Sequence, residues 1–281
     1  MLKLLALLLI TLPISSSFAK EKIIIPIEIK DKIPYIQMKI NNKTIPFVLD
    51  SGAKTSLHLT PEVAQYIDGL RYTGRTKKSM DLAGVMRESK EFTVPELNLD
   101  GMKFSNLTGV ILSPWGIYIG GAQGPDPNIS VIGMDFFKKK KIIIDFPSNT
   151  LTMYEGDKDI SNNMDDWIRL PFEISDEGYV LTITDGKKEY RMILDTASTV
   201  SMMKSSSMGK DTIIEKCEDY GTEKICRTRL SFLENYFLEP LVLNLANEFH
   251  ADGIVGNDFF SCFSVLLDLK NKAFYVKPHK V

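Results

Sequence analysis

The feature that most constrains the fold is an internal duplication, because both halves of the chain carry the same motif. The segment that ends at Leu57 reads IPFVLDSGAKTSL, and the segment that ends at Met202 reads EYRMILDTASTVSM. Each copy places an aspartate, Asp50 or Asp195, at the end of an apolar run and follows it with a hydroxyl residue and small residues. A single short motif of this kind can arise by chance, so the second copy is the informative observation.

A second repeated motif follows each aspartate at a distance. VIGMDFF begins at Val131 and IVGNDFF begins at Ile254, which places Gly133 and Gly256 at the same point of each copy. Two motifs, each present twice and in the same order, predict two copies of one structural unit. The aspartates inside these motifs, Asp135 and Asp258, precede apolar turns and are predicted to cap short helices.

A polar, strongly charged stretch at residues 154–167 divides the two copies and is typical of a linker. It predicts an N-terminal lobe over residues 20–158 and a C-terminal lobe over residues 159–281. Short segments rich in Ile, Val, Phe and Tyr, separated by Asn, Asp, Gly and Pro, predict strands through both lobes. Helical patterns are few, and the clearest begins at Thr60 with proline after it. We therefore expect an all-β protein with a few short helices.

Charge and hydropathy exclude several functions and indicate export. The 281 residues carry a formal charge of −2, which provides no electrostatic footprint for nucleic acid or an anionic membrane. Residues 1–19 have Lys3, an apolar core and small residues at their end, the pattern of a cleaved signal peptide. The apolar core is too short to span a bilayer. We expect an exported protein, periplasmic or secreted, without a membrane anchor after signal removal.

Three cysteines follow in the mature chain. Cys217 and Cys226 flank a turn-like Asp-Tyr-Gly centre, so in an oxidising compartment a hairpin closed by a disulfide is expected. Cys262 lies in an apolar run and is expected to be a buried thiol. Only three histidines are present, and none lies in a metal-binding motif, so no metal or other cofactor is predicted.

The duplicated Asp-(Ser/Thr)-small motif, followed in each half by an apolar-apolar-Gly segment, resembles the pepsin and retropepsin clan of aspartic proteases. The resemblance implies a bilobal fold of two similar, closed-barrel-like lobes. It also implies a monomer that cleaves a peptide or protein substrate. Asp50 and Asp195 would be the catalytic pair, one from each lobe, because two close carboxylates can share one proton and activate water. An alternative from another class is a peptide-binding pseudoprotease that keeps the cleft without turnover.

The same resemblance assigns roles to residues around the pair. Ser51 and Thr196 would tie the two catalytic loops together, and Gly133 and Gly256 would support these loops from behind. Gly52 would avoid a Cβ where backbone and substrate approach closely.

Further residues near the two aspartates are assigned roles from their position in the chain and from the resemblance. Ser56 and Ser201, six residues after each aspartate, are expected to donate hydrogen bonds to the carboxylates. The resemblance also implies a substrate flap, which would be a hairpin after the first aspartate with the tip Ala83, Gly84 and Val85. Ala197 departs from the family pattern, which has glycine there, and costs about 1 kcal/mol if the backbone requires a positive φ.

Overall fold

A computed structural model describes most of the chain after the N-terminal segment. The described residues are 20–113, 126, 128–156, 160, 164–210, 212, 214–220, 223–233 and 235–279. The predicted signal peptide and the predicted lobe boundary between residues 158 and 159 lie outside them. No helix in these ranges has the length and apolar character needed to cross a membrane.

Strands dominate the structure, and the predicted all-β class with few short helices is confirmed. The first half contains β1 (Lys22–Lys30), β2 (Ile33–Ile40), β3 (Lys43–Asp50), β4 (Leu57–Leu59), β5 (Arg71–Met80), β6 (Met86–Leu99), β7 (Met102–Ile111), β8 (Ser130–Gly133), β9 (Lys140–Asp145) and β10 (Thr150–Glu155). The second half contains β11 (Ile168–Leu170), β12 (Phe172–Ile174), β13 (Tyr179–Thr184), β14 (Glu189–Leu194), β15 (Met202–Lys204), β16 (Ile214–Tyr220), β17 (Glu223–Thr228), β18 (Leu230–Leu233), β19 (Tyr236–Leu238), β20 (Leu241–Leu243), β21 (Gly253–Val255), β22 (Phe263–Asp268) and β23 (Ala273–Pro278).

The helices of the described residues are each about one turn long. They are α1 (Pro61–Ala64), 3-10 helices at Met134–Phe137 and Ser205–Ser207, and α2 (Asn257–Phe260). The start of α1 follows the prediction, because the Thr60 side chain accepts a hydrogen bond from the Val63 N–H.

The strands of the described part of the chain form two sheets. One has thirteen strands in the order β11-β23-β22-β9-β10-β1-β2-β3-β8-β4-β7-β6-β5. The other has the order β16-β17-β20-β15-β21-β14-β13-β18-β19, with β12 also paired to β13. The C-terminal strand β22 pairs with β9, so the first sheet joins the two halves of the chain.

The duplication is visible in the strand order. The path β5-β6-β7-β4-β8-β3-β2 in the first half is repeated by β16-β17-β20-β15-β21-β14-β13 in the second. The pairings agree too: β3–β8 and β14–β21 are parallel, and β4–β8 and β15–β21 are antiparallel. The hairpin β5–β6, which contains the predicted flap, is therefore equivalent to the hairpin β16–β17, which contains the two paired cysteines.

Local sequence explains the strands and their turns. Along β1, buried Ile23, Ile25 and Ile27 alternate with exposed residues, as expected for a strand that covers the core with one face. The turn between β2 and β3 consists of Asn41 and Asn42, which both adopt a positive φ. Asparagine tolerates this conformation, and such turns match the twist of a hairpin.

Two small apolar clusters lie apart from the main core. The lobe-one cluster has buried Ile33, Tyr35, Val48 and Val131, with Ala53, Leu112, Ile129 and Ala197 packed against it. The lobe-two cluster has buried Val180, Ile193, Leu245, Phe249, Ala251 and Ile254, with Leu82 and Leu243 packed against it.

Strand register shows that these clusters are equivalent. Val48 lies opposite Tyr35 and beside Val131, as Ile193 lies opposite Val180 and beside Ile254. Val180 rather than Tyr179 thus occupies the place of Tyr35, although YIQMKINNK and YVLTITDGK align on their tyrosines. The turn between β13 and β14 is longer than the turn between β2 and β3, so β13 is shifted by one residue relative to β2. A shift of one residue moves a side chain to the opposite face of the sheet.

Candidate active site

The two aspartates follow equivalent strands at the junction of the two halves. Asp50 ends β3 and lies in register with Gly133 of the parallel strand β8. Asp195 follows β14, and its N–H donates to the carbonyl of Val255 at the end of β21 (2.9 Å). The sequence folds this way because each apolar run is a buried central strand whose carboxyl end carries the aspartate.

Gly133 and Gly256 lie against the loops that carry the aspartates. A Cβ on Gly133 would lie 2.2 Å from the Thr55 carbonyl oxygen and 2.4 Å from that of Ala53. A Cβ on Gly256 would lie 2.4 Å from the Val200 carbonyl carbon and oxygen. Both positions are therefore restricted to glycine by contact with the loop backbone, which is the supporting position that the sequence predicted for them.

Hydrogen bonds between Ser51 and Thr196 connect the two loops. The Ser51 N–H donates to Thr196 Oγ1 (3.0 Å), and the Thr196 N–H donates to Ser51 Oγ (2.9 Å). Thr196 Oγ1 also donates to the carbonyl of Leu49 (2.6 Å). Both side chains are buried, so these bonds are shielded from water and fix the position of one aspartate relative to the other.

The two carboxyl groups meet beside Gly52. A Cβ on Gly52 would lie 2.7 Å from Asp195 Cγ and 2.9 Å from Asp195 Oδ2. The absence of a side chain at Gly52 therefore leaves space for the partner carboxyl group, while the close approach of substrate implied by the resemblance stays a prediction. Asp50 Oδ1 accepts hydrogen bonds from the N–H groups of Gly52 (2.8 Å) and Ala53 (3.0 Å), while Asp195 Oδ1 accepts from Ala197 (2.8 Å).

Burial and proximity change the acidity of this pair. Burial raises the pKa of Asp50 well above its ordinary 3.8, and the neighbouring Asp195 raises it further. Burial also raises the pKa of Asp195, although hydrogen bonds from Ala197 and from Asp50 oppose the rise. Two buried carboxyl groups this close cannot both ionise without a large cost, so the arrangement favours one proton shared between them. Such a pair titrates as a single unit, with one acidic and one basic carboxyl while the proton is bound.

Ala197 occupies its position without backbone strain. It is not among the described residues with a positive φ, and neither is Gly52. The cost considered for an alanine in the left-handed region therefore does not arise. Its methyl group packs against the lobe-one cluster, which places it in an apolar contact.

Ser56 and Ser201 do not have the role predicted for them. Ser201 Oγ donates to Asp258 Oδ1 (2.6 Å) and accepts from the Gly256 N–H (2.9 Å), so it binds the α2 segment and not a catalytic carboxylate. Ser56 Oγ is buried and has no hydrogen-bond partner among the described residues. The prediction failed because position six after each aspartate lies directly before the next strand, β4 or β15, and no longer in the loop beside the carboxyl groups.

Asp135 and Asp258 also differ from the prediction, because neither caps its helix. The capping positions are Gly133 and Gly256, without a side-chain hydrogen bond. Asp258 accepts from Ser201, and Asp135 accepts from the Tyr179 hydroxyl of the second half (2.9 Å).

The predicted flap is a hairpin whose turn lies between β5 and β6. Gly84 has a φ of +84°, which favours glycine. One carboxylate organises the turn, since Asp81 Oδ1 accepts from the N–H groups of Ala83 (3.0 Å) and Val85 (2.9 Å). The turn reaches the second half of the chain, where the Ala246 N–H donates to the carbonyl of Leu82 (3.0 Å).

In the equivalent hairpin, Cys217 and Cys226 lie opposite each other and form a disulfide. Cys262 is free and exposed, which corrects the expectation of a buried thiol. It lies in the turn after α2, where the chain faces solvent before β22 begins. The described residues contain no cluster of three or more His, Cys, Asp or Glu side chains that could bind a metal ion.

Two contacts near the pair had no sequence pattern that could reveal them. Lys54, four residues after Asp50, donates to the Ser175 carbonyl of the second half (2.8 Å) and lies 3.7 Å from Asp176. Leu82 of the flap turn packs against the lobe-two cluster. Lysine and leucine are common in loops, so neither residue type indicates such a contact by itself. The partners of Lys54 and Leu82 also lie far away in the sequence.

Comparison with known proteins agrees with this geometry. Residues 36–136 match the family model described as aspartyl protease, a stretch that includes Asp50 and Gly133 and ends before Asp195. The aspartic proteinase from Irpex lacteus has a similar structure, with a TM-score of 0.54, 13% identity and coverage of 92% of this chain and 98% of the other. The chain has the aspartic protease fold. The resemblance predicted from the sequence is therefore confirmed.

Two plant globulins also have structures similar to this chain. Basic 7S globulin from soybean has a TM-score of 0.56 and 9% identity, with 92% of this chain and 95% of the other covered. Conglutin gamma, a basic 7S globulin from lupine seeds, has a TM-score of 0.57 and 11% identity at the same coverage. A search of curated protein sequences finds no match. Because the fold occurs in proteins described as globulins and as a proteinase, the fold alone does not establish catalysis.

Proposed function

We propose that the protein is an aspartic endopeptidase that hydrolyses peptide bonds with a water molecule activated between Asp50 and Asp195. The observation that carries the proposal is the buried pair of neighbouring carboxyl groups, whose loops are connected across the two halves by Ser51 and Thr196. A fold that served only to bind peptides would not require two carboxyl groups to share this space.

The chemistry follows from the shared proton. The ionised carboxylate takes a proton from water as the water attacks the scissile carbonyl carbon, and the protonated carboxyl hydrogen-bonds the carbonyl oxygen. The resulting tetrahedral intermediate then collapses as a carboxyl group gives a proton to the leaving nitrogen. The reaction consumes one water, and the carboxyl pair returns to its singly protonated state. Neither a metal nor another cofactor is part of the proposal.

The surroundings of the pair support a preference for apolar substrate side chains. The lobe-one cluster adjoins Asp50 through Val48, and the lobe-two cluster adjoins Asp195 through Ile193, each two residues before its aspartate. Partly buried members at the edges of these clusters, such as Ala53 and Leu243, would offer apolar surface to side chains on both sides of the scissile bond. We further propose that the protein acts as an exported monomer on peptide or protein substrates.

The test is digestion of an unfolded protein by the mature chain, with products identified by mass spectrometry. Asp50→Asn and Asp195→Asn are the matched controls, because each keeps the shape and removes one titrating group. We expect cleavage by wild type, inhibition by pepstatin and a loss of about 1,000-fold or more in each variant. An inert wild type that still binds peptides would instead support the pseudoprotease alternative. Residual activity equal to wild type in Asp50→Asn would exclude the proposed mechanism.

The pH dependence offers a second readout of the same pair. A raised carboxyl pKa means that the folded state holds its proton more tightly than the unfolded state does. Its contribution to stability is complete below the ordinary pKa of 3.8 and is lost as the pH rises through the raised pKa. We expect kcat/KM to fall when the shared proton is lost at higher pH. In Asp50→Asn, the free energy of unfolding should depend less on pH across this window, as denaturation at a series of pH values would show.

A further inference from the structure

The flap is docked onto a loop of the second half, residues 244–249, which lies between β20 and β21. The Ala246 N–H donates to the carbonyl of Leu82 (3.0 Å). The two chains approach closely here, because a Cβ on Gly84 would lie 3.2 Å from the Ala246 Cβ. We call residues 244–249 the docking loop.

An apolar contact accompanies this hydrogen bond. The Leu82 side chain packs against the lobe-two cluster, to which the docking loop contributes Leu245 and Phe249. Another member of the cluster, Ile193, is two residues before Asp195. The flap turn therefore reaches across from the first half and closes against the wall of the site on the Asp195 side.

A buried lysine holds the docking loop. Lys204, at the end of β15, is 8% exposed, and its Nζ donates to the carbonyls of Phe249 (2.7 Å) and Asn247 (3.2 Å). The equivalent residue of the first half, nine positions after the aspartate in both copies, is Leu59, which is 0% exposed.

This difference between the halves indicates what the lysine does. Leu59 shows that the strand itself requires only an apolar side chain at this position. A buried ammonium group is unfavourable unless its donors are satisfied, so its presence needs another explanation. The groups that satisfy Lys204 are backbone carbonyls of the docking loop, which an apolar residue could not hold.

We infer that Lys204 is a positioning residue that fixes the docking loop as the receiver of the flap, and that Leu82 is the flap residue which closes against it. Lys204 acts through the loop backbone and Leu82 through the lobe-two cluster. Closure would cover a substrate bound beside Asp195, so the catalytic consequence rests on the proposed endopeptidase function. The docking itself does not depend on that function.

Hydrogen–deuterium exchange tests the docking without any assay of activity. In Leu82→Ala and in Lys204→Met, we expect amides of residues 244–249 to exchange about tenfold faster than in wild type. Met86→Ala is the control for Leu82, since Met86 follows the same turn but is 58% exposed. Lys187→Met is the control for Lys204, since Lys187 is exposed. Both controls should leave this exchange unchanged.

Lys204→Arg keeps the exchange experiment decisive if Lys204→Met fails to fold. Arginine keeps donors that can reach the two carbonyls, so its exchange should stay closer to wild type than that of Lys204→Met. Unchanged exchange of the docking loop in a folded Leu82→Ala protein would overturn the inference. Equal exchange in wild type and a folded Lys204→Met would overturn the role of Lys204, and so would Lys204→Arg behaving like Leu82→Ala.

Kinetics then separate positioning from chemistry. If the wild type cleaves peptides, Leu82→Ala and Lys204→Met should raise KM several-fold while kcat changes by no more than about twofold, since the carboxyl pair is untouched. Lys204→Arg should restore most of the KM. A fall in kcat at constant KM would contradict the assignment. If wild type is inert, the proposed function fails, whereas the exchange experiment still decides whether the docking exists.

Discussion

The two halves of the molecule share one strand order but use different contacts around their aspartates. In the first half, Gly52 leaves room for the partner carboxyl group, whereas Ala197 at the equivalent place packs its methyl group against the lobe-one cluster. In the first half Ser56 has no partner among the described residues, whereas Ser201 binds Asp258. The two copies have therefore kept the backbone and the carboxyl groups, while the side chains around them have diverged.

The equivalent hairpins diverge in the same way. The hairpin β16–β17 is closed by the disulfide between Cys217 and Cys226, while the hairpin β5–β6 is held at its turn by Asp81 and by docking to the second half. The disulfide joins the two strands of one hairpin covalently, whereas the turn of the other is held to the second half by noncovalent contacts. Such contacts can open, which is compatible with the flap role proposed for β5–β6.

The largest difference in activity between the halves is expected from the separate variants Gly52→Ala and Ala197→Gly. Gly52→Ala places a Cβ 2.7 Å from Asp195 Cγ, well inside the 3.4 Å at which ordinary contact begins, so the carboxyl pair must separate. We expect kcat/KM to fall about 100-fold. Ala197→Gly should leave activity nearly unchanged and lower the free energy of unfolding by about 0.5–1 kcal/mol. Peptide cleavage and denaturation of both variants check this, and a large gain of activity in Ala197→Gly would contradict it.

Thr196 and Ser51 test whether the connection between the loops is as symmetric as their sequence suggests. Thr196→Val leaves the Ser51 N–H and the Leu49 carbonyl without their partner in a buried site. We expect a loss of about 3 kcal/mol in the free energy of unfolding. Ser51→Ala removes the acceptor of the Thr196 N–H and should cost about 1–2 kcal/mol. If urea denaturation shows the same loss of unfolding free energy in both variants, Ser51 and Thr196 contribute equally to the connection.

The disulfide distinguishes the two hairpins. It closes a loop with a sequence separation of 9, for which loop-closure entropy predicts about 2–3 kcal/mol of stabilisation. A variant with Cys217→Ser and Cys226→Ser should lose that amount, with faster hydrogen exchange in β16–β17 than in β5–β6. Thiol labelling and mass spectrometry of the mature protein provide the control. Two free thiols in the native protein would remove the basis of this prediction.

The two serines should give the smallest and most unequal pair of effects. Ser201→Ala removes a hydroxyl that binds Asp258 and accepts from the Gly256 N–H, with an expected loss of about 1–2 kcal/mol in unfolding free energy. Ser56→Ala removes a buried hydroxyl without a partner among the described residues, and should be neutral or slightly stabilising. A comparable loss in both variants would indicate that Ser56 has a partner the structure does not describe.

Much of the fold could be predicted because strand formation leaves a local pattern. Apolar runs such as the one before Asp50, turn residues such as Asn41 and the repeated Gly-x-Asp-Phe-Phe segments all reflect period, turn chemistry and close backbone contact. Contacts made by single side chains across the chain leave no such pattern. The roles of Ser201, Lys204 and Leu82 depend on which surface each side chain meets, and adjacent sequence does not determine that surface.

By itself the sequence determined that two copies of one β unit exist, that each delivers an aspartate at a strand end, and that a glycine recurs at the same point of each second motif. These features are local, since they depend on the order of residues along a strand. The tertiary structure decided the rest. It brought Asp50 and Asp195 together beside Gly52 and docked Leu82 against the second half. It also placed Ala197 in a backbone conformation without a positive φ, so the expected strain is absent. The physical reason is that burial, shared protons and close packing arise only between residues that folding brings together from distant parts of the chain.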